Sequence, residues 1–477
     1  MAKEMLFKST VEKFIAESHA NSLDAERSAE IKEIGVSWDF YYGRQEQYIK
    51  KFSGESVEDY KDKSKVTFNY TKNVVDEYIE GVFAKPVAIT LPDKNHQEMW
   101  NTIAEPLSFF NIMPFLKKCQ RIAEVSGTCV VMIRYDRKND LTYFEDIRGE
   151  FVYFLPSVDN PRTIGTMIIS YTYDTGEIDP QKRYMQRIEV WDDKNWAIWL
   201  YSPVLKNSKH ISSGKNPHGF IPAVRFIPQE DDNTFYGLTN VGDIVKINSV
   251  YNNLWTSLVQ ISEMQSFSVL VVTSETELKI EIAPKRFLKM DSLGAGGSTN
   301  DAKYITPQPK IDEVRQVLLE LKKELQDFSK VPASTVSAAE STSPESGYAL
   351  TIKRIPIEQA WESRRLSYGI SLRSLVKKSI HVDMVNKGDT PPLAKDIDVA
   401  IEFTSTIPTM SPNEQNIIDS HNLRYNLATP VDWMQRKHPE LTREEALKKI
   451  EENKKINEEL GINEFGAGED LDVFLEQ

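Results

Sequence analysis

Glu230, Asp231 and Asp232 set three carboxylates side by side, an oxygen-rich run of the kind that holds a divalent cation. Adjacent acids in a polar turn are more commonly just solvated, so no metal is expected there. Gly294-Ala295-Gly296-Gly297 has the glycine density of a phosphate-binding loop but neither the lysine nor the following helix that such a loop needs. It reads as a plain loop. The seven histidines are scattered, and no HExxH or CxxC pair occurs. Cys119 and Cys129 match neither a metal spacing nor a secreted disulfide framework and are expected as buried small hydrophobes. The aromatic group Trp38, Phe40, Tyr41 and Tyr42 offers surfaces on which bases stack, yet its helical spacing ahead of an interior segment favours packing. The expected sets of catalytic residues, metal ligands and cofactors are therefore empty.

Charge narrows the possibilities further. The 477 residues carry 71 acidic against 58 basic side chains, a formal net charge of −13. Proteins that grip nucleic acid usually show a basic excess or stripe, so tight static DNA binding is not the expected activity. Passage of a polyanion past an acidic surface remains compatible, because like charge keeps it from sticking. One basic run stands out: Lys353, Arg354, Arg364, Arg365, Arg373, Lys377 and Lys378, on a helix predicted from about 348 to 384 with an interruption near Pro356. It reads either as a solvated face balanced by Glu358 and Glu362, or as a surface turned toward DNA or an acidic neighbouring subunit. Lys353, Arg354, Arg364 and Arg365 are the candidates for the second reading.

Two heptad-patterned helices carry the shape. Ile244, Ile247, Tyr251, Leu254, Leu258 and Ile261 step by three and four, as do Ile311, Val314, Leu318, Leu321, Leu325 and Phe328. A helix over 239–265, with Thr239 as its N-cap, is roughly 40 Å long, which suits a strut packed beside copies of itself. A second stripe of Trp255, Val259, Val317 and Leu319 is expected to face those copies. Residues 1–235 read as an α+β body. A helix carries Val74, Val75, Tyr78, Ile79 and Val82 on one face and is broken by Gly81 and the Lys85–Pro86 step. Another spans about 113–125, and strands follow over TCVVMIRYD, FVYFL, TIGTMIISYTY, RYMQRIEVWDD and NWAIWLYS. A small β module occupies about 267–310, and VPASTVSAAESTSPESG is too poor in large apolar residues to order itself. One strand in IDVAIEFTS precedes a helical C-terminal region with capping boxes at Ser411–Glu414 and Thr442–Glu445. No stretch approaches the ~20 apolar residues of a membrane span, and the opening lacks the run of a signal peptide, so a cytosolic protein is expected.

The order of these modules resembles the portal proteins of tailed bacteriophages, in particular those of long-tailed phages. The resemblance rests on Asn69, Asn73-Val74-Val75-Asp76, Tyr78, Gly81 and Lys85-Pro86-Val87. It rests also on Gly219-Phe220-Ile221-Pro222-Ala223-Val224-Arg225-Phe226, and on Tyr236-Gly237-Leu238-Thr239 followed by Asp243, Ile244, Asn248, Tyr251 and Asn252. It implies a ring of about twelve subunits at one capsid vertex. The expected division is a wing over 1–237, stem helices over 238–266 and 311–330 around a clip at 267–310, and a tunnel loop at 331–348. A wing helix and strand over 349–410 and a helical crown with an acidic tail over 411–477 complete it. Ser334, Thr335, Ser337, Ser341, Thr342 and Ser343 would face DNA from the tunnel loop. Ile244, Ile247, Tyr251, Leu254, Trp255, Leu258, Val314, Leu318, Leu321 and Leu325 would form the stem and subunit interface. Lys285, Arg286, Asp291 and Asp301 of the clip would dock the terminase large subunit and then the head-completion or adaptor protein. Other implied partners are the major capsid and scaffold proteins and double-stranded DNA passing non-specifically, with no membrane and no cofactor. The implied location is the virion, with assembly in the host cytoplasm. The alternatives are a metal-dependent nucleic-acid enzyme and an oligomeric scaffold unrelated to phages.

Overall fold

In the computed structural model the described residues are 25–51, 55–104, 112–179, 183–205, 207–265, 269–273, 301–305, 311–331, 347–391, 396–403, 419–422, 425, 427, 429–437 and 443–459. Two compact units divide the chain, one formed by Met1–Ser343 with Lys353–Thr406, the other by Pro344–Ile352 with Ile407–Gln477.

Helices lead the first unit: α1 (Ala25–Tyr41), α2 (Val57–Asp62) and α3 (Tyr70–Phe83). Asn69 caps α3 by accepting from the Lys72 amide at 3.0 Å, which satisfies one of the free N–H groups at the helix start. Val74, Val75, Tyr78, Ile79 and Val82 are buried along it, as their spacing predicts. Gly81 is not the breaker expected. The helix runs on to Phe83, and a Cβ at Gly81 would lie 1.8 Å from Cε2 of Trp361, so this glycine is a contact point between crossing elements. Strand β1 (Ala88–Thr90), α4 (Lys94–Ala104) and α5 (Ile112–Ser126) follow. Gly127 stops α5 at φ +74°, the left-handed conformation that glycine takes without steric cost.

The sheets come next. Strands β2 (Cys129–Asp136) and β3 (Leu141–Arg148) form an antiparallel hairpin. Strands β4 (Val152–Pro156), β5 (Ile164–Asp174), β6 (Tyr184–Asp192), β7 (Asn195–Ser202) and β8 (Asn207–Lys215) form a five-stranded antiparallel meander in chain order. Strand β9 (Ala223–Phe226) returns to pair with β2. Side chains alternate across a strand, so Ile168 and Ile169 of β5 face opposite ways, and both are buried. Ile169 and Met167 pack with Val130, Met132 and Ala223 of the smaller sheet, while Ile168 packs with Ile188, Val190 and Tyr201. Between the sheets Glu189 holds Arg134 at 2.9 Å and Arg187 at 2.7 Å. Burial raises the Glu189 pKa, and the two guanidinium groups outweigh it, leaving the carboxyl below its ordinary range. Strand β8 was not expected, because NSKHISSGK has no apolar alternation. It is the exposed edge of the sheet, where a polar, lysine-bearing strand is tolerated.

A two-residue pair, β10 (Gln229–Glu230) with β11 (Gly237–Leu238), leads into α6 (Val241–Gln265). Strand β12 (Val269–Thr273) pairs with β13 (Asp301–Ile305), and α7 (Ile311–Ser329) follows. Next is α8 (Gly347–Lys387), 41 residues and continuous through Pro356, so the interruption expected there is absent. Strand β14 (Ala400–Glu402) pairs with β1 across more than 300 positions of sequence. The second unit holds α9 (Pro430–Lys437) and α10 (Arg443–Glu459). The architecture is α+β, as expected. Among the described residues no helix is long and apolar enough to cross a membrane.

Candidate functional site: the helix pair and its buried joint

The predicted seam closes, but within one chain. Tyr251, Leu258 and Leu318 are buried where α6 meets α7, with Leu254, Val314, Leu321 and Tyr70 of α3 packed around them. Ile244 and Leu325 are likewise buried and Ile247 is half-buried, so most of this seam is used up within the chain. Trp255, expected on the outward stripe, belongs to the inner cluster, against Tyr251 and Phe68. The large apolar side chains of the pair left in solvent are Val250, Val317, Leu319 and Phe328, exposed by 50%, 45%, 61% and 44%. Phe328 thus leaves the inner seam to which its spacing assigns it.

A polar stripe on α6 holds a second strand of backbone. Asn248, Asn252 and Thr256 lie four residues apart on one helical face and are all buried. Thr256 Oγ1 accepts from the Val66 amide at 3.1 Å, Asn252 Oδ1 from the Phe68 amide at 2.9 Å, and Asn248 Oδ1 from the Thr71 amide at 3.2 Å. Asn248 Nδ2 returns a bond to the Phe68 carbonyl at 2.8 Å, and Asn252 Nδ2 donates to Gln45 Oε1 at 2.6 Å. Within the extended run 64–69, Val66 and Phe68 thereby satisfy their main chain on side chains instead of a sheet.

At the base of the pair sits a buried ionic joint. Glu124 of α5 is fully buried and takes two bonds from Arg364 of α8, at 2.7 and 3.0 Å, in the fork geometry that suits guanidinium and carboxylate. Tyr368 donates to the same carboxylate at 3.1 Å, and Gln120 at 3.4 Å. Burial works against the Arg364 charge, but the carboxylate more than offsets it and the pKa is raised; burial, then Glu124, pushes the Tyr368 hydroxyl up. The guanidinium also lies 3.8 Å from the centre of the Tyr78 ring. Tyr78 in turn donates to the Ser329 carbonyl at 2.6 Å and accepts from Asn240 Nδ2 at 3.1 Å. Thr239 Oγ1 accepts from the Val241 amide at 3.2 Å and donates to the Glu124 carbonyl at 2.5 Å. The start of α6 and the end of α7 are therefore tied to α3, α5 and α8 by one network. Two glycines bring the backbone close enough for it: a Cβ at Gly127 would stand 2.4 Å from the Gly237 carbonyl oxygen.

A family model described as "Phage portal protein, SPP1 Gp6-like" matches residues 20–459. The chain belongs to that family. No curated protein matches it. Among solved structures, a chain from "Neck of native GTA particle computed with C12 symmetry" is similar at a TM-score of 0.43 and 9% identity, over 74% of this chain and 84% of that one. A likeness that weak bears on neither ring size nor partners.

In this portal-family chain the basic candidates separate. Lys353 and Arg354 lie exposed on α8, whereas Arg364 is spent on Glu124 and Arg365 is buried, donating to the Gly81 carbonyl at 2.8 Å and pairing with Glu362. A helix face that reads as one charged run is split by packing, with Arg364 and Arg365 engaged inside the fold and Lys353 and Arg354 left on its surface. Arg373 and Lys378 also bond backbone carbonyls, of Val399 and of Ile221 and Ala223. The tunnel-loop candidates Ser334, Thr335, Ser337, Ser341, Thr342 and Ser343 lie outside the described residues, as do Lys285, Arg286, Asp291, the run 294–297 and the box at 411–414. Asp301 pairs with Thr273 in the β12–β13 ladder.

Several of the residues weighed for chemistry take part in turns and packing. Asp231 accepts from the Asn233 amide at 2.9 Å and from Thr234 at 3.0 Å, closing its own turn. Trp38, Phe40 and Tyr41 are buried, while Tyr42 is half-exposed and stacks on Trp38. Cys119 and Cys129 are buried and free. Among the described residues no three His, Cys, Asp or Glu side chains converge as metal ligands. What the periodicity missed was the Asn248, Asn252, Thr256 ladder and the Glu124–Arg364 pair. The first has a signal, three polar residues at four-residue spacing inside an apolar helix; the second has none, since its partners lie 240 positions apart.

Proposed function

We propose that this chain is the repeating subunit of a ring-shaped portal at one capsid vertex, through which double-stranded DNA enters during packaging and leaves at ejection. The observation that carries this reading is the set of apolar side chains the helix pair leaves exposed. With the inner seam closed inside the chain, Val250 of α6 and Val317, Leu319 and Phe328 of α7 remain as apolar side chains that a lone subunit leaves wet and that neighbours on either side would cover. In this reading α6 and α7 are the stem, the β12–β13 module between them the clip, the sheet-bearing body the wing, and the C-terminal helices the crown. About twelve copies surround the axis.

The protein acts by shape. A net charge of −13 per chain repels the polyanion and lets it slide. ATP hydrolysis belongs to a terminase large subunit docked at the clip, later replaced by a head-completion or adaptor protein, while capsid and scaffold proteins hold the wing. No cofactor is needed. Electron microscopy of the purified protein, alone and co-assembled with capsid and scaffold proteins, tests the reading. Turbine-shaped rings with an axial hole are expected, and monomers under both conditions would sink it.

A further inference from the structure

A ring built head to tail needs two different surfaces on each chain that fit one another. The five-stranded sheet carries one at either end. At one end a cavity of about 1130 Å³ opens between the β4–β5 turn, the β6–β7 turn and the flank of α8. Its floor includes buried Met167 and Val224, while its rim leaves Val158, Leu366 and Ile370 exposed by 91%, 72% and 65%. The rim is acidic, with exposed Asp159, Asp193 and Glu230. Of the bases that line it, Arg225 is spent on the Phe235 carbonyl at 2.5 Å, Lys378 on the carbonyls of Ile221 and Ala223, and Lys194 sits 4.0 Å from Asp193.

At the other end of the sheet, eight residues of β7 away, or about 25 Å, is the β7–β8 turn. Turns of this kind are ordinarily polar at the tip. This one presents Val204 and Leu205, exposed by 58% and 46%, and holds them in place because Ser202 Oγ accepts from the Leu205 amide at 3.2 Å. Exposed Lys209 follows on β8.

We propose that the β7–β8 turn of one subunit seats in the cavity of the next copy, with Val204 and Leu205 against Leu366, Ile370 and Val158, and Lys209 beside Asp159 and Asp193. The proposal rests on the ring reading above and assigns it a second contact, separate from the stem. It is tested in the full chain by Leu205→Cys combined with Leu366→Cys; the native Cys119 and Cys129 are buried and do not compete. Mild oxidation of assembled rings should give a ladder of covalent multimers on a denaturing gel, and each single variant should give none. Ile370→Glu should cut the assembled fraction about tenfold at equal concentration, with the circular dichroism and melting of the subunit unchanged. Asp193→Lys should weaken assembly, and adding Lys209→Asp should restore it. Wild-type rings with no ladder from the double-cysteine variant, and with Ile370→Glu assembling normally, would overturn this contact and leave the ring standing. A wild type that never assembles, alone or with capsid proteins, would remove the ring and this contact together.

Discussion

The seam along the helix pair and the joint at its base bury comparable numbers of side chains by opposite means. Tyr251, Leu258 and Leu318 interlock through non-directional apolar contact, which fixes how closely α6 and α7 approach but penalises small slides little. Glu124, Arg364, Tyr368 and Tyr78 meet through bonds of set length and direction, so they fix where the pair starts and how it leaves the body. The same molecule uses adaptable packing along the strut and a rigid polar knot at its foot. A strut that must fit beside copies of itself gains from that division, since the foot sets its aim and the shaft can still repack.

Breaking the joint should have the largest effect. Arg364→Met strands a buried carboxylate, and a loss of about 3–5 kcal/mol in denaturant unfolding is expected. Adding Glu124→Gln should recover part of it; a strictly additive double variant would show that the pair is not coupled. Leu318→Ala in the seam should cost about 2–5 kcal/mol by the same measurement. Conservative exchanges sharpen the contrast. Leu318→Met should cost less than about 1.5 kcal/mol, whereas Arg364→Lys should fare much worse because a point charge cannot reproduce the fork. Next comes the polar ladder: Asn252→Ala takes the partner from the Phe68 amide and from Gln45 Oε1, for about 1–3 kcal/mol.

A pH effect follows from the sheet side of the molecule. Burial, then the nearby His381, lowers the His218 pKa to about 4. The folded state therefore binds this proton later than the unfolded chain, whose value is near 6.5, and stability should fall as the pH drops through that window. His218→Phe should flatten the slope between about pH 6.5 and 4 in a melting series; an unchanged slope would assign it elsewhere. The smallest effect on the lone subunit is expected at the outer flank. Leu319→Asp should alter subunit unfolding by less than about 0.5 kcal/mol while depleting rings in native mass spectra.

Legibility in the sequence followed range. The helices over 70–83, 112–126, 241–265 and 311–329 were readable because their periodicity and caps lie within a few turns, and the strands of the meander because β-branched and aromatic runs alternate with turn signals. Strand β8 escaped because an exposed edge needs no apolar pattern, and Gly81 was misread because a helix stop and a helix crossing ask for the same residue. The portal family was legible in the order of the modules, and the model match over 20–459 bears it out.

What the sequence alone determined, then, is which segments are helix or strand and which face of each is apolar, since those patterns repeat over one or two turns of chain. Which apolar face meets which was decided only by the fold. Trp255 turned inward and Phe328 outward, and Arg364 found Glu124 240 positions away, because contact between distant segments depends on the crossing of helices and sheets and leaves no local periodic trace.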